Sequence, residues 1–144
     1  TLTFHLRDSL VYEHPDGIAV QWVPLGEGTV DFKAVVARAR QILNPGVNIY
    51  IKPITGRPPV VLPVYGEKLW REYFPKARAS EFARFVALAK KGRPYEKNAV
   101  IEDVAGRKTP EPYAAALAYQ QKEHMERSIA YARDVLKLGI KAQA

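Results

Sequence analysis

Cysteine is absent from this 144-residue chain. Its absence rules out disulfide bonds and thiolate metal sites, and it fits a reducing compartment, so a cytoplasmic location is expected. Long apolar runs are also missing, since none approaches the roughly 20 residues that a membrane-spanning helix requires. The composition therefore gives no sign of a disulfide-stabilised scaffold or of a membrane partner.

Runs of like charge are missing as well. The net charge of +7 would permit binding to nucleic acid or to an anionic substrate. Lysine and arginine occur only singly or in pairs, such as Lys90-Lys91 and Arg107-Lys108, among acidic residues. A nucleic-acid footprint usually clusters its charges on one face. This distribution favours a solvated surface over a nucleic-acid interface.

The length and composition bound the fold. With 47% hydrophobic residues, 144 residues are enough to bury a core, and they indicate one globular domain, residues 1–144. They are too few for a complete (β/α)8 barrel, which needs at least roughly 200 residues. The chain begins at Thr1 inside a predicted strand, without an initiator methionine. We therefore expect it to be a piece of a longer polypeptide.

The first eight residues predict a β-strand with a polar end. Residues 1–4 are β-branched, aliphatic or aromatic, and the segment then turns polar at His5, Arg7 and Asp8. In α/β folds the sites lie at the carboxyl ends of such strands. An imidazole there, with a carboxylate three residues later, is a candidate metal ligand with a supporting partner. The alternative is a hydrogen-bonded structural histidine, which is the commoner role.

The pattern then predicts a helix and a second parallel strand. Asp31 precedes an apolar stripe at helical spacing, and residues 44–46 (Asn-Pro-Gly) end it. Val47 to Ile51 is the next predicted strand. The order of strand, loop, helix and strand favours a parallel pair with a right-handed crossover. His5 and Lys52 are then expected at the same edge of the sheet.

The loop at residues 24–28 (Pro-Leu-Gly-Glu-Gly) lacks the Gly-x-Gly-x-x-Gly spacing of a phosphate loop. An ordinary turn is favoured there. After a long connection rich in proline and aromatic residues, a short helix is predicted at residues 67–73. A longer helix is predicted to be capped by Ser80 and to end at Gly92. Residues 99–104 predict a short extended segment.

The last predicted helix opens at Thr109 and Pro110 and runs to Leu138. His124 lies on it without a metal-spaced partner, because positions 120 and 128 are glutamine and serine. We interpret His124 as a structural residue.

Three segments in this order resemble the C-terminal part of the xylose isomerase-like (sugar phosphate isomerase/epimerase) TIM-barrel family. They are Phe4–Asp8, Val23–Phe32 and Ile49–Arg57. That family carries a His-x-Lys-Asp run on its seventh barrel strand, a Pro-x-Gly-x-Gly-like loop into its seventh helix, and an eighth strand that ends in glutamate. The resemblance implies an α/β fold: about the last two βα units of a (β/α)8 barrel in residues 1–60, with a helical extension in 61–144.

The resemblance also implies a sugar or sugar-phosphate isomerase or epimerase that moves a proton next to a carbonyl group. In such a site a divalent metal (Mn, Mg, Co or Zn) acts as a Lewis acid. The matching ligand here is His5, and two of the three carboxylate ligands would come from strands outside this chain. Asp8 would orient His5 or the loop. Arg7, Glu27 and Arg57 are the predicted substrate-binding residues.

Lys52 stands where that family has its last carboxylate ligand. An ammonium group cannot coordinate a metal. Three explanations follow: Lys52 supplies the charge in a metal-free site, it is itself the catalytic base, or catalysis has been lost while the fold remains. A solvated lysine at the strand end is the plainer alternative. Two other functions stay open, an apurinic-site endonuclease-like hydrolase and a non-catalytic barrel protein.

Two parallel strands alone leave their edges open. The expected partners are therefore the remainder of the barrel or a partner chain, together with a small carbohydrate substrate. Expressed by itself, the chain is expected to be poorly soluble or to form a homo-oligomer.

Overall fold

The computed structural model of the chain describes residues 3–43, 47–97, 108–111 and 113–139. Within these ranges the fold is mixed α/β, with five strands in two small sheets and four helices. The predicted α/β class is therefore confirmed. Among the helices in these ranges, none is both long enough and apolar enough to cross a membrane.

The first sheet is a parallel pair. Strand β1 (Thr3–Leu6) pairs with strand β4 (Asn48–Ile51), with His5 opposite Tyr50. The Lys52 N–H donates to the Leu6 carbonyl over 3.0 Å, so the ladder continues past the end of β4. The predicted parallel pair, with its two carboxyl ends side by side, is confirmed.

Helix α1 (Phe32–Ile42) lies between these strands in the chain. The Asp31 carboxylate accepts a hydrogen bond from the Ala34 N–H over 3.0 Å, which confirms the predicted cap. Helix α1 and the last helix cover one face of the pair with apolar side chains. That core contains Leu6, Leu25, Phe32, Val36, Ala132 and Leu136, with Phe4, Ile49 and Ile51 packed against it.

The second sheet is antiparallel, and its first two strands are inserted between β1 and α1. Strands β2 (Asp8–His14), β3 (Gly17–Val23) and β5 (Val60–Leu62) pair in the order β2-β3-β5. Strands β2 and β5 are absent from the sequence-based prediction. Each is short or interrupted by polar residues, so only pairing with β3 makes it a strand. Strand β5 also lies at the start of residues 61–144, which are predicted to be a helical extension.

Helix α2 (Glu67–Tyr73) confirms the predicted short helix, and α3 (Ala79–Lys91) follows it. The prediction that Ser80 caps α3 is wrong. The cap is Arg78, whose N–H donates to the Glu81 carboxylate over 3.0 Å, and Ser80 lies in the first turn. The reach of Glu81 back to residue 78 fixes this earlier start.

Helix α4 (Tyr113–Asp134) is shorter than predicted at its carboxyl end. Leu138 lies beyond the helix, because the backbone leaves it after Asp134 and Lys137 has a positive φ of 54°. The extended segment predicted at residues 99–104 lies outside the described residues.

Candidate functional site

Three cationic or titratable side chains share one face at the carboxyl end of the parallel pair. His5 and Arg7 are two positions apart, and Lys52 continues β4 beside the end of β1. Side chains alternate along a strand, so these three lie on the side opposite the buried Leu6 and the partly buried Ile51. We call His5, Arg7 and Lys52 the polar row. The structure thus brings together three of the predicted site residues.

His5 and Lys52 are exposed on this face. The His5 ring lies edge-on to the Tyr50 ring, with a centroid distance of 5.6 Å and an interplanar angle of 77°. In the described part of the chain, no side chain is hydrogen-bonded to either His5 or Lys52. Both therefore remain available to a ligand above the sheet.

Arg7 is half-buried, and its guanidinium carbon lies 5.4 Å from the centre of the Trp22 ring. Trp22 comes from β3, so the antiparallel insertion supplies this platform. The indole also lines a cavity of about 430 Å³ together with Ile54, Arg57, Pro58 and Val60. Arg57, the other predicted substrate-binding cation, therefore borders a cavity that begins at the same tryptophan.

Asp8 holds the loop that follows β3. Its carboxylate is 2% exposed and accepts hydrogen bonds from the N–H groups of Ser9, Gly26 and Gly28 at 2.8, 2.9 and 3.0 Å. Burial raises the pKa of Asp8, and the three N–H donors act in the opposite direction. A Cβ at Gly28 would come within 2.1 Å of the Asp8 carboxylate oxygen. Of its two predicted roles, Asp8 therefore has the one of positioning the loop.

Glu27 is held by two side chains that do not belong to the polar row. Its carboxylate accepts hydrogen bonds from the Tyr95 hydroxyl and from the Arg127 guanidinium. Arg127 also donates to the Tyr95 oxygen over 2.7 Å, and to Glu123 over 3.3 Å. Burial, together with the adjacent Glu27, raises the pKa of Tyr95 to about 12, so this hydroxyl stays a donor at neutral pH. Glu27 ties its loop to α4, and its substrate-binding role stays a prediction.

Helix α4 has a buried polar stripe at i, i+4 spacing, formed by Gln120, His124 and Ser128. This stripe supports the loop after β3 and the loop after β4. The His124 Nδ1 atom lies 3.0 Å from the Thr55 hydroxyl, in the loop after β4. The Ser128 hydroxyl accepts from the Leu25 N–H over 3.0 Å, in the loop after β3. His124 is 1% exposed, and burial, with the nearby Arg127 charge, lowers its pKa. The spacing alone could have indicated this stripe.

The donor set of the polar row does not fit a divalent metal. A metal site needs several neutral or anionic ligands, whereas here one imidazole stands beside a guanidinium and an ammonium. In the described ranges, no three His, Cys, Asp or Glu side chains are grouped so that they could hold a metal ion. The predicted metal, with His5 as its ligand, would need carboxylates from outside this chain.

Sequence reasoning missed Trp22, because a tryptophan on a short strand is equally typical of a buried core. It missed Tyr95 and Arg127 because their partner, Glu27, is 68 and 100 residues away. No protein-family model, curated protein or solved structure matches this chain.

Proposed function

We propose that the chain forms the last two βα units of a xylose isomerase-like (β/α)8 barrel and contributes to a sugar or sugar-phosphate isomerase or epimerase site. The polar row carries this proposal, because it lies at the carboxyl ends of two parallel strands. In (β/α)8 barrels, helices cover the outer face of the strands and the site is built at their carboxyl ends. Helices α1 and α4 cover the opposite face of this pair.

The open face of the pair supports the barrel interpretation. Parallel strands are normally buried on both faces. Here Thr3, His5, Asn48 and Tyr50 are exposed, and within the described ranges neither strand has a second neighbour. Further strands of a barrel would pair with both edges and enclose this face.

The polar row suits proton transfer beside a carbonyl group. In this reaction a proton leaves the carbon next to the carbonyl and returns to a carbon of the same intermediate, so there is no net redox change. The intermediate is an enediolate, whose oxygen is negatively charged. The Lys52 ammonium would stabilise that oxygen, and the His5 imidazole would accept and return the proton. In the alternative assignment, Lys52 is itself the base.

The residues around the row suit a carbohydrate. Aromatic faces pack against the apolar C–H face of a sugar ring, and Trp22 presents such a face. Arg7 and Arg57 would bind hydroxyl or phosphate oxygens. Glu27 would act through the loop, since Arg127 and Tyr95 already hold its carboxylate.

Hydrogen exchange tests this function even when the product is unidentified. The natural full-length protein is incubated in D2O with a panel of neutral sugars and sugar phosphates. Loss of the C–H signal next to the carbonyl group is followed by NMR. We expect exchange for at least one substrate, reduced about 100-fold or more in Lys52→Gln and in His5→Gln. Lys33→Gln, an exposed change on α1, is the matched control and should exchange at the wild-type rate.

A folded full-length protein that exchanges no member of the panel would contradict the proposal. Cleavage of apurinic DNA by the same preparation would support the hydrolase alternative instead. Elemental analysis of the wild type and of Lys52→Glu separates the remaining explanations of Lys52. Stoichiometric metal in the wild type would support metal-assisted transfer. Metal in Lys52→Glu alone would support a site in which Lys52 replaces a ligand.

A further inference from the structure

We propose that Trp22 positions Arg7 as a receptor for an anionic group, so that the substrate carries a phosphate or a carboxylate. This inference rests on the proposed function and narrows its substrate class. Neither the resemblance nor the strand pattern assigns a role to Trp22. The proposal is carried by the surroundings of Arg7.

Arg7 is half-buried without an acceptor. Partly buried arginines are normally paired, because removing a guanidinium from water is costly. Across the described ranges, no carboxylate, carbonyl or hydroxyl oxygen is hydrogen-bonded to the Arg7 side chain, which instead lies 5.4 Å from the centre of the Trp22 ring. Its N–H donors are therefore left for a group from outside the chain.

The carboxylates of Asp8 and Glu27 already have hydrogen-bond donors within the chain. Asp8, the next residue in the chain, accepts hydrogen bonds from three backbone N–H groups. The Glu27 carboxylate accepts hydrogen bonds from Tyr95 and Arg127. Neither neutralises the polar row, in which Arg7 and Lys52 each carry a formal positive charge. An oxyanion is the complementary ligand.

The stacking on Trp22 makes this arginine selective for such a ligand. The indole lies within cation–π distance of the guanidinium and stabilises its charge. A guanidinium group can donate two parallel hydrogen bonds to a phosphate or a carboxylate. The same indole lines a cavity of about 430 Å³ together with Arg57. A phosphate and a carboxylate share this chemistry.

Calorimetric titration of the natural full-length protein at low salt tests the receptor. Inorganic phosphate and acetate are the two probes, and they distinguish the two anion types. We expect binding of at least one, weakened about tenfold or more in Arg7→Gln through the loss of charge-assisted hydrogen bonds. Arg38→Gln removes the same charge from an exposed position on α1 and should bind like the wild type.

Two substitutions of Trp22 separate positioning from packing. Trp22→Leu keeps an apolar side chain but removes the aromatic face, so we expect it to weaken binding as Arg7→Gln does. Trp22→Phe keeps a ring and should recover most of the affinity. Circular dichroism confirms that each variant is folded. Equal anion affinity in wild type, Arg7→Gln and Trp22→Leu would overturn the proposal, and so would equal affinity in Trp22→Leu and Trp22→Phe.

The exchange assay distinguishes failure of this inference from failure of the function. If the inference holds, Trp22→Leu raises KM for an anionic sugar about tenfold more than it raises KM for a neutral sugar, and the exposed Arg38→Gln leaves both KM values at the wild-type level. Exchange that is insensitive to Trp22 and Arg7 would reject the receptor and keep the isomerase. Anion binding that depends on Trp22 and Arg7, without any exchange, would reject the isomerase and keep the receptor.

Discussion

The two sheets of this protein differ in how their faces are covered. The antiparallel sheet β2-β3-β5 packs against α2 and α3 through its own apolar core, which includes Val11, Ile18, Val64 and Ala89. The parallel pair β1-β4 has one apolar face under α1 and α4, and its other face is exposed. The antiparallel sheet is therefore built for packing, and the open face of the parallel pair is where a ligand can be bound.

The two sheets also differ in whether their polar side chains have hydrogen-bond partners. In the antiparallel region, the Gln21 side chain exchanges two hydrogen bonds with the backbone of Tyr95, and the Trp70 indole donates to the Val64 carbonyl over 2.7 Å. Within the described residues, the polar row of the parallel pair has no such partners. Satisfied polar groups stabilise a fold, whereas half-buried or clustered groups left without partners indicate a binding role.

The largest expected effect is a loss of stability in the antiparallel region. Gly17 turns the β2-β3 hairpin with a φ of 146°, and a Cβ there would come within 2.0 Å of the Leu62 carbonyl oxygen on β5. Gly17→Ala should lower the free energy of unfolding by more than about 3 kcal/mol, because the clash and the strained φ add. Urea denaturation measures the loss.

Gly139→Ala is the matched control. Gly139 also has a positive φ, of 105°, but nothing lies within 4 Å of the position of its Cβ. Gly139→Ala should lower the free energy of unfolding by only about 1 kcal/mol, which is the cost of the backbone strain alone. A similar loss in both variants would mean that the contact with β5 contributes nothing.

The next effect is expected at the junction of the two regions. Asp8→Ala would leave three backbone N–H groups without their acceptor, and two of these groups belong to the loop after β3. We expect a loss of about 3 kcal/mol in the free energy of unfolding. Asp16→Ala, in the exposed hairpin turn, should change stability by less than about 0.5 kcal/mol. A loss at Asp8 no larger than that at Asp16 would contradict the loop-positioning role.

A smaller, pH-dependent effect is expected from His124. Its pKa is lowered in the folded state from the ordinary value of 6.5, so the unfolded chain takes up a proton before the folded chain does. Stability should therefore fall as the pH drops below about 6.5, by up to about 1.4 kcal/mol per pH unit, until the folded-state pKa is reached. Arg127 adds to the lowering, and Glu123 and Glu27 oppose it.

Unfolding measured from pH 7.5 to pH 5 in wild type and in His124→Gln isolates this contribution, since glutamine does not titrate. The difference between the two proteins should narrow or reverse as the pH falls. His14→Gln, in the exposed hairpin turn, serves as the control. Parallel pH profiles for wild type and His124→Gln would show that the buried imidazole is not what makes stability pH-dependent.

The parts of the fold that follow from local pattern could be predicted from the sequence. Asp31 before an apolar stripe gives α1, and an apolar run before Lys52 gives β4. Their order then gives a parallel pair. Strand β2 could not be predicted in this way, because Glu13 and His14 interrupt its pattern and its stability comes from pairing with β3.

The candidate site, like the fold, could be predicted from the sequence only in part. The order of the strands was enough to bring His5 and Lys52 to one edge. The partners of Glu27 could not be foreseen, because Tyr95 and Arg127 reach it only through the packing of distant segments. Nor could the stack of Arg7 on Trp22, which depends on the antiparallel insertion. Tertiary contacts of this kind leave no periodic signal in the sequence.

The smallest expected change in stability is that of a substitution on the open face of the parallel pair. This substitution also tests the difference between the two sheets most sharply. The Lys52 side chain is exposed and has no hydrogen-bond or ion-pair partner within the described residues. Lys52→Gln should therefore change the free energy of unfolding by less than about 0.5 kcal/mol.

The most direct test of the central claim measures stability and hydrogen exchange together, in the wild type and in Lys52→Gln of the natural full-length protein. We predict unchanged stability with exchange next to the carbonyl group reduced about 100-fold or more. Unchanged exchange in a stable Lys52→Gln variant would contradict the claim that the polar row is a catalytic site. A loss of stability that accounts for the whole loss of exchange would contradict it as well.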